Sequence, residues 1–360
     1  MVASVASASE AVGLHSVREA AARIAPYVHR PTPILHSALI DDLCGAAAIF
    51  KCEHLQLTGS FKARGALNAV LSLSEEVAVK GVVAHSTGNH GAAVAFAARA
   101  RGVPCTIVVP TTTPDAKVAN IARYGATLVR CAPTTAARTA AAEAAAAGLG
   151  GAAIVHPYDD ELVVAGQGTI GLELRAQVEG LDAILVPVSG GGMLAGIAAA
   201  CAGTATRVIA VEPSGKRLGC ALAIGVRDGA FTLAELAAAP TLSTLADAMP
   251  TILLGPKLAW PLVQRCVAPS DVLTVDDAGI ARALRLMASE LKQAVEPAGA
   301  VALAGLLSPG FRELLLQSNK AGRPLRTVAA VVCGGNVDLA TLGRILQDVR
   351  EEGGFSSAAN

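Results

Sequence analysis

Thr58-Gly59-Ser60-Phe61-Lys62-Ala63-Arg64-Gly65-Ala66 is the stretch from which the rest of the chain is read. Lys62 stands between a Gly-Ser turn and an apolar run, Phe61, Ala63, Ala66, Leu67, Ala69, Val70 and Leu71, that predicts a helix. A helix start disfavours a positive charge and lowers the pKa of an amine, and burial against Phe61 acts in the same direction. A lysine that attacks a carbonyl must be neutral, so this address suits a chemical lysine. It also suits an ordinary surface lysine, and the choice between the two rests on what lies further along the chain.

Outward from this stretch, apolar strand-like runs alternate with helical ones, the pattern of an α/β protein with parallel sheets and crossover helices. Strands are predicted at residues 47–52, 81–85, 105–110, 127–131, 153–156, 183–188, 207–212 and 327–333. Helices are predicted at 61–73, 90–101, 115–124, 135–147, 162–178, 192–202, 276–290 and 299–307. Residues 222–262, with Pro240, Pro250, Pro256 and Pro261, read as an irregular excursion, and the polar tail as a mobile end.

Loops at the C-terminal ends of parallel strands face the binding crevice. After the strand ending at His85 come Ser86-Thr87-Gly88-Asn89-His90-Gly91 and a helix, a place where freed amides attract a carboxylate; a plain capped helix would look the same. After residues 183–188 come Ser189-Gly190-Gly191-Gly192-Met193. Successive glycines let several N–H groups aim at one phosphate, whereas a tight turn needs only one glycine. Neither GxGxxG nor a P-loop is present, so a single phosphate monoester is the expected guest. The strand 327–333 ends in Cys333-Gly334-Gly335-Asn336, where Cys333 reads as a ligand contact at a glycine-lined strand end. Glu296, in Glu296-Pro297-Ala298-Gly299-Ala300, reads either as a first-turn acid or as part of the crevice.

Composition narrows the field. The chain has 360 residues, with 29 basic and 29 acidic side chains and no dense run of either sign, so nothing points to nucleic acid. A mean hydropathy of +0.50 comes from alanine and small aliphatics, and no apolar run reads as a convincing membrane span. Eight scattered cysteines without a CxxC pair read as reduced thiols of a cytoplasmic protein, not as a zinc site.

A lysine after Gly-Ser, a carboxylate loop, a one-phosphate glycine loop and a Cys-Gly-Gly-Asn strand end together resemble the fold-type II pyridoxal-phosphate enzymes, most closely the serine racemase and serine/threonine dehydratase branch. The resemblance spans about residues 15–348 and includes Val164-Ala165-Gly166-Gln167-Gly168-Thr169-Ile170 and Gly335-Asn336-Val337-Asp338-Leu339. It implies a tryptophan synthase β-like architecture of two three-layer α/β/α domains with mostly parallel sheets. Residues 1–79 and 161–348 would form the large domain, 80–160 the small one, and 349–360 a flexible tail. It further implies pyridoxal 5'-phosphate as cofactor, with Lys62 as the Schiff-base lysine and Cα base and Phe61 packing on the ring. Ser189, Gly190, Gly191, Gly192 and Met193 would hold the phosphate, Asn89 would meet the ring oxygen, and Cys333 would sit by the pyridine nitrogen. Ser86, Asn89, His90 and Arg138 would bind the substrate carboxylate. The expected partners are a small amino-acid substrate and a second copy of the chain, a homodimer, with no nucleic acid and no membrane.

Departures from the branch refine the expectation. Racemases of the family carry a serine at the position of Thr87 as the opposite-face acid/base; threonine keeps the hydroxyl but adds a methyl and a stiffer χ1. The family's metal site begins at a glutamate matched by Glu212, but Leu218 replaces its aspartate and Lys216 stands nearby, so no metal is expected. Tyr158 looks like the aromatic of dehydratases. The reading is therefore a lyase that deaminates serine, threonine or a related β-hydroxy amino acid to a 2-oxo acid and ammonia. Serine racemase, with Thr87 as the second acid/base, is the alternative.

Overall fold

Two sheets carry the fold of the computed structural model, which describes residues 12–214, 243–249 and 254–352. The strands are β1 (Ile34–His36), β2 (Ala47–Lys51), β3 (Val82–His85), β4 (Cys105–Pro110) and β5 (Thr127–Cys131), followed by β6 (Ala153–Ile154), β7 (Ala183–Pro187), β8 (Arg207–Pro213), β9 (Val272–Val275) and β10 (Thr327–Val331). One sheet runs β1-β2-β10-β7-β8-β9, the other β5-β4-β3-β6. Every pairing is parallel except that of β1 with β2.

Parallel sheets are covered on both faces, so their central strands are continuous apolar runs. β7 is buried at every residue, and so are the helices Gly192–Cys201 and Pro297–Leu306 that pack in its core. The helix that begins at Lys62, Lys62–Leu71, buries Ala66, Leu67 and Val70 with Val82, Ala84 and Ile107 of the four-stranded sheet. Expected within the larger body, this helix shares the core of the smaller sheet.

Close helix crossing explains the Val164-to-Ile170 motif. A Cβ on Gly166 would lie 2.6 Å from the Gly65 Cα, and one on Gly168 would lie 2.6 Å from the Gly196 carbonyl oxygen. The motif thus lets the helix Glu161–Gln177 press against both the lysine-bearing helix and Gly192–Cys201, while Gln167 Oε1 accepts the Gly65 N–H at 3.2 Å.

Every strand predicted from the sequence is present, with β6 and β10 shorter at their C-terminal ends because the chain there turns into the crevice. β1 and β9 are additions, as are the helices Leu14–Ile24, Ala38–Cys44, Ala259–Cys266 and Pro309–Lys320. Residues 349–352, expected in the tail, are helical. The helix Leu339–Glu352 runs through them, and its Leu342, Ile345 and Leu346 pack on the main core. The rest of the tail, Lys216, Leu218, Cys220 and residues 222–242 and 250–253 of the proline-rich excursion lie outside the described residues. Among the described residues no group of side chains could hold a metal ion, and no single helix is long and apolar enough to cross a membrane.

Candidate active site

The turn before Lys62 is laced to the end of β10. Gly335 donates its N–H to the Gly59 carbonyl at 2.9 Å, Phe61 donates to the Cys333 carbonyl at 3.1 Å, and Ser60 and Gly334 form an antiparallel bridge. Gly59 has φ +76, and a Cβ there would lie 2.4 Å from Asn336 Oδ1. Residues far apart in sequence are thereby fixed around one point, from which the helix Lys62–Leu71 departs with Lys62 as its first residue.

Lys62 Nζ donates to the Pro157 carbonyl at 2.6 Å and lies 4.9 Å from the centroid of the Phe61 ring. Desolvation lowers its pKa to about 8, against a weaker opposing influence from Cys333. The direction expected from the sequence is present, and burial is its cause.

The loop after β3 places Ser86, Thr87, Asn89 and His90 together. The first bond of the helix Asn89–Arg101 is Ala92 N–H to Gly88 C=O, so the Asn89, His90 and Gly91 amides precede the helical ladder and stand available to an anion. Asn89 Nδ2 donates to Glu296 Oε1 at 2.8 Å, and its Oδ1 accepts from Asn336 Nδ2 at 2.7 Å. Those two bonds fix which way the amide points and leave one N–H of Asn89 unspent. Glu296 is therefore part of the crevice and not a mere first-turn acid: its side chain makes no cap bond, and burial lifts its pKa to about 7.

His90 can serve the carboxylate only through its backbone. Its ring is 4% exposed, Nε2 faces the Val155 carbonyl at 2.9 Å, and burial drops its pKa to about 3. The imidazole is neutral and turned into the protein, so what His90 offers a carboxylate is its backbone N–H. Arg138, on the helix Thr135–Gly148, bonds Thr135 Oγ1 at 3.1 Å and not the loop, while its Nε is buried without a partner. The guanidinium is near enough to His85 to help burial lower that residue's pKa.

The glycine loop closes the other side. Gly191 has φ +87 and stands before the helix Gly192–Cys201, whose first bond is Ala195 N–H to Gly191 C=O; the Gly192, Met193 and Leu194 amides precede it. Met193 buries its side chain in the main core and presents only its amide to this loop. A Cβ on Gly190 would lie 2.4 Å from the Tyr158 ring, and one on Gly192 would lie 2.5 Å from the Tyr158 carbonyl oxygen. Two of the three glycines are thus required by Tyr158 pressing on the loop, a contact invisible in the sequence. Pro157 touches Lys62 and the adjoining Tyr158 touches Gly190, which brings lysine and glycine loop to one cleft.

Cys333, 5% exposed, donates its thiol proton to the Ala298 carbonyl at 3.3 Å, and burial pushes its pKa well above the usual thiol range. It is a neutral neighbour. The site suits a planar aldehyde bearing one phosphate: an amine of lowered pKa, a start of free helix amides, an oriented amide donor, and the buried hydroxyls of Thr58 and Ser60, which have no partner.

Sequence reading missed the opposite side of the lysine helix. Arg64, fully buried, bonds Glu53 through Nε at 2.7 Å and Glu173 through Nη1 at 2.7 Å, and Lys51 Nζ meets Glu173 at 2.6 Å. The arginine sits inside the opening motif, but its partners are too distant in sequence to reveal the pairing.

A family model described as pyridoxal-phosphate dependent enzyme matches residues 26–334. The chain is 40% identical over 336 residues to a serine racemase of Oryza sativa subsp. indica, covering 92% of this chain and 93% of that protein. It is 39% identical to a β-hydroxyaspartate dehydratase of Paracoccus denitrificans, covering 89% of this chain and 95% of that one. The structure of maize serine racemase superposes with a TM-score of 0.84 at 40% identity, covering 95% of this chain and 98% of that chain.

Proposed function

The chain belongs to the pyridoxal-phosphate dependent enzymes, and from that premise we propose that it racemises serine, with loss of water from a β-hydroxy amino acid as a companion reaction. The observation that carries the cofactor chemistry of this reading is Lys62, an amine at the first residue of a helix, lowered to about 8 and bonded to a neutral carbonyl; the choice of inversion rests on the similarity to serine racemases. When bound, pyridoxal phosphate supplies the electron withdrawal that makes an amino acid's Cα proton labile.

Lys62 would hold the cofactor and, as a neutral amine in the cleft, would take the substrate's Cα proton. The Gly192, Met193 and Leu194 amides hold the phosphate, aided by the helix dipole. Ser86 and the Asn89 and His90 amides orient the substrate carboxylate, and the unspent Asn89 N–H serves the ring oxygen. Thr87 returns a proton to the other side of Cα, which turns abstraction into inversion.

The identity to serine racemases supports placing inversion ahead of elimination, the reverse of the order expected from the sequence, where Tyr158 looked like the aromatic of dehydratases and Thr87 left racemisation open. Elimination keeps a specific basis. The Cys333 thiol retains its proton and would give a ring nitrogen no negative partner, a setting that favours departure of a protonated β-hydroxyl as water; the similarity to a β-hydroxyaspartate dehydratase favours the same chemistry.

Incubation of the holoenzyme with L-serine, followed by chiral analysis and keto-acid assay, tests the order. Racemisation predicts D-serine accumulating alongside pyruvate, and Thr87→Ala predicts loss of D-serine with pyruvate retained. Pyruvate without D-serine from the unaltered protein would make it a lyase.

A further inference from the structure

Residues 156–160 cross from β6 to the helix Glu161–Gln177. His156 Nδ1 accepts the backbone N–H groups of Tyr158 and Asp159 at 3.3 and 2.8 Å, which folds the segment into a tight turn. From that turn Asp159 extends across the cleft. Its Oδ2 accepts the Lys257 N–H at 3.0 Å, and its Oδ1 accepts the Leu258 N–H at 2.8 Å and the Ala259 N–H at 3.4 Å. These amides open the helix Ala259–Cys266, which has no side-chain cap of its own. The residues ahead of that helix lie on the glycine loop: Gly255 donates to the Gly190 carbonyl at 3.0 Å, and a Cβ on Gly191 would lie 2.7 Å from Leu254 and 2.8 Å from Ala259. Residue 255 is held to glycine by the clamp, because a Cβ there would lie 2.4 Å from Asp159 Cγ.

We propose that Asp159 is a positioning residue for the phosphate seat: by holding residues 254–259 over Gly190 and Gly191, it keeps the amides at the start of Gly192–Cys201 aimed at one phosphate. The inference rests on the reading of residues 189–193 as that seat. Asp159 acts through the backbone it binds and touches no reacting atom. An aspartate spent on three amides is worth more than a lone cap, since releasing it frees both the helix start and the strap on the loop.

The test compares two aldehydes that differ only in the phosphate. The full-length apoprotein and its variants are titrated with pyridoxal phosphate and with pyridoxal, and the ratio of the two affinities is read by absorption. Asp159→Ala should lower that ratio about tenfold, the expected scale for lost capping, by weakening pyridoxal phosphate alone. Gly255→Ala should act likewise. Asp159→Asn, which keeps one acceptor oxygen for Leu258, should fall in between, and it serves if the alanine variant does not fold. Equal weakening of both aldehydes would reduce Asp159 to a structural role and overturn the proposal. A ratio that falls in Gly191→Ala but not in Asp159→Ala would also overturn it, with the phosphate seat left standing. A ratio unmoved by either would overturn the phosphate seat itself.

Discussion

Lys62 and Arg64 are cations two residues apart on one helix, and burial opposes charge on both. The outcomes are opposite. Arg64 meets the carboxylates of Glu53 and Glu173, which outweigh desolvation and raise its pKa. Lys62 meets a carbonyl, and desolvation prevails. A buried cation given matching anions is structure, and one given only a neutral acceptor is ready to lose its proton. The same helix thus presents a fully paired face to the protein and a chemically poised residue to the cleft.

The contrast predicts a clean separation of phenotypes. Lys62→Ala should cut turnover by about 10²–10⁴-fold and abolish covalent cofactor retention, while denaturant unfolding stays close to that of the parent. Arg64→Ala should do the reverse: stranding the buried carboxylate of Glu53, while Glu173 keeps Lys51, costs about 3–5 kcal/mol in equilibrium unfolding. Arg64→Met in a background with Glu53→Gln should recover part of that loss. An Arg64 variant of unchanged stability would break the comparison.

A smaller effect follows from the pKa of Lys62. The rate at which apoprotein captures pyridoxal phosphate should rise with pH and level off above about 8, where the amine is neutral. Stopped-flow absorption measures it, and a rate that keeps climbing without a plateau through about pH 10, as the amine of an ordinary lysine would give, would contradict the lowered pKa.

The smallest effect concerns Glu296, whose folded-state pKa is raised from 4.5 to about 7 by burial. Its folded form binds a proton that the unfolded chain has released, so the stability it lends is present below the unfolded value and is lost as pH rises through about 7. Glu296→Gln should flatten that part of the stability–pH curve, as followed by thermal melting.

Much of this was legible in the sequence because local rules sufficed. The apolar runs of β7 and β10 and the glycine-bearing turns after β3, β7 and β10 announce strands that end at a crevice. β1 and β9 escaped because they are short edge strands, and a run of three or four residues carries no usable periodicity. What the side chains do inside the site was harder to read. The resemblance implies His90 as a carboxylate contact but not by which group, and the direction of its ring is set by Val155. Three consecutive glycines suggested a phosphate alone, whereas Tyr158, Leu254 and Ala259 also claim the space of the missing side chains. The Arg64 network and the Asp159 clamp depend on pairings between distant segments, which no local pattern encodes.

The central claim is that Lys62, and no other lysine, is the residue through which this chain holds its cofactor. Borohydride reduction of the holoenzyme, followed by peptide mapping, tests it directly. The account predicts a pyridoxyl group on the peptide containing Ser60-Phe61-Lys62 and none in Lys62→Ala; a stoichiometric label on Lys51, Lys117 or Lys257 would contradict it.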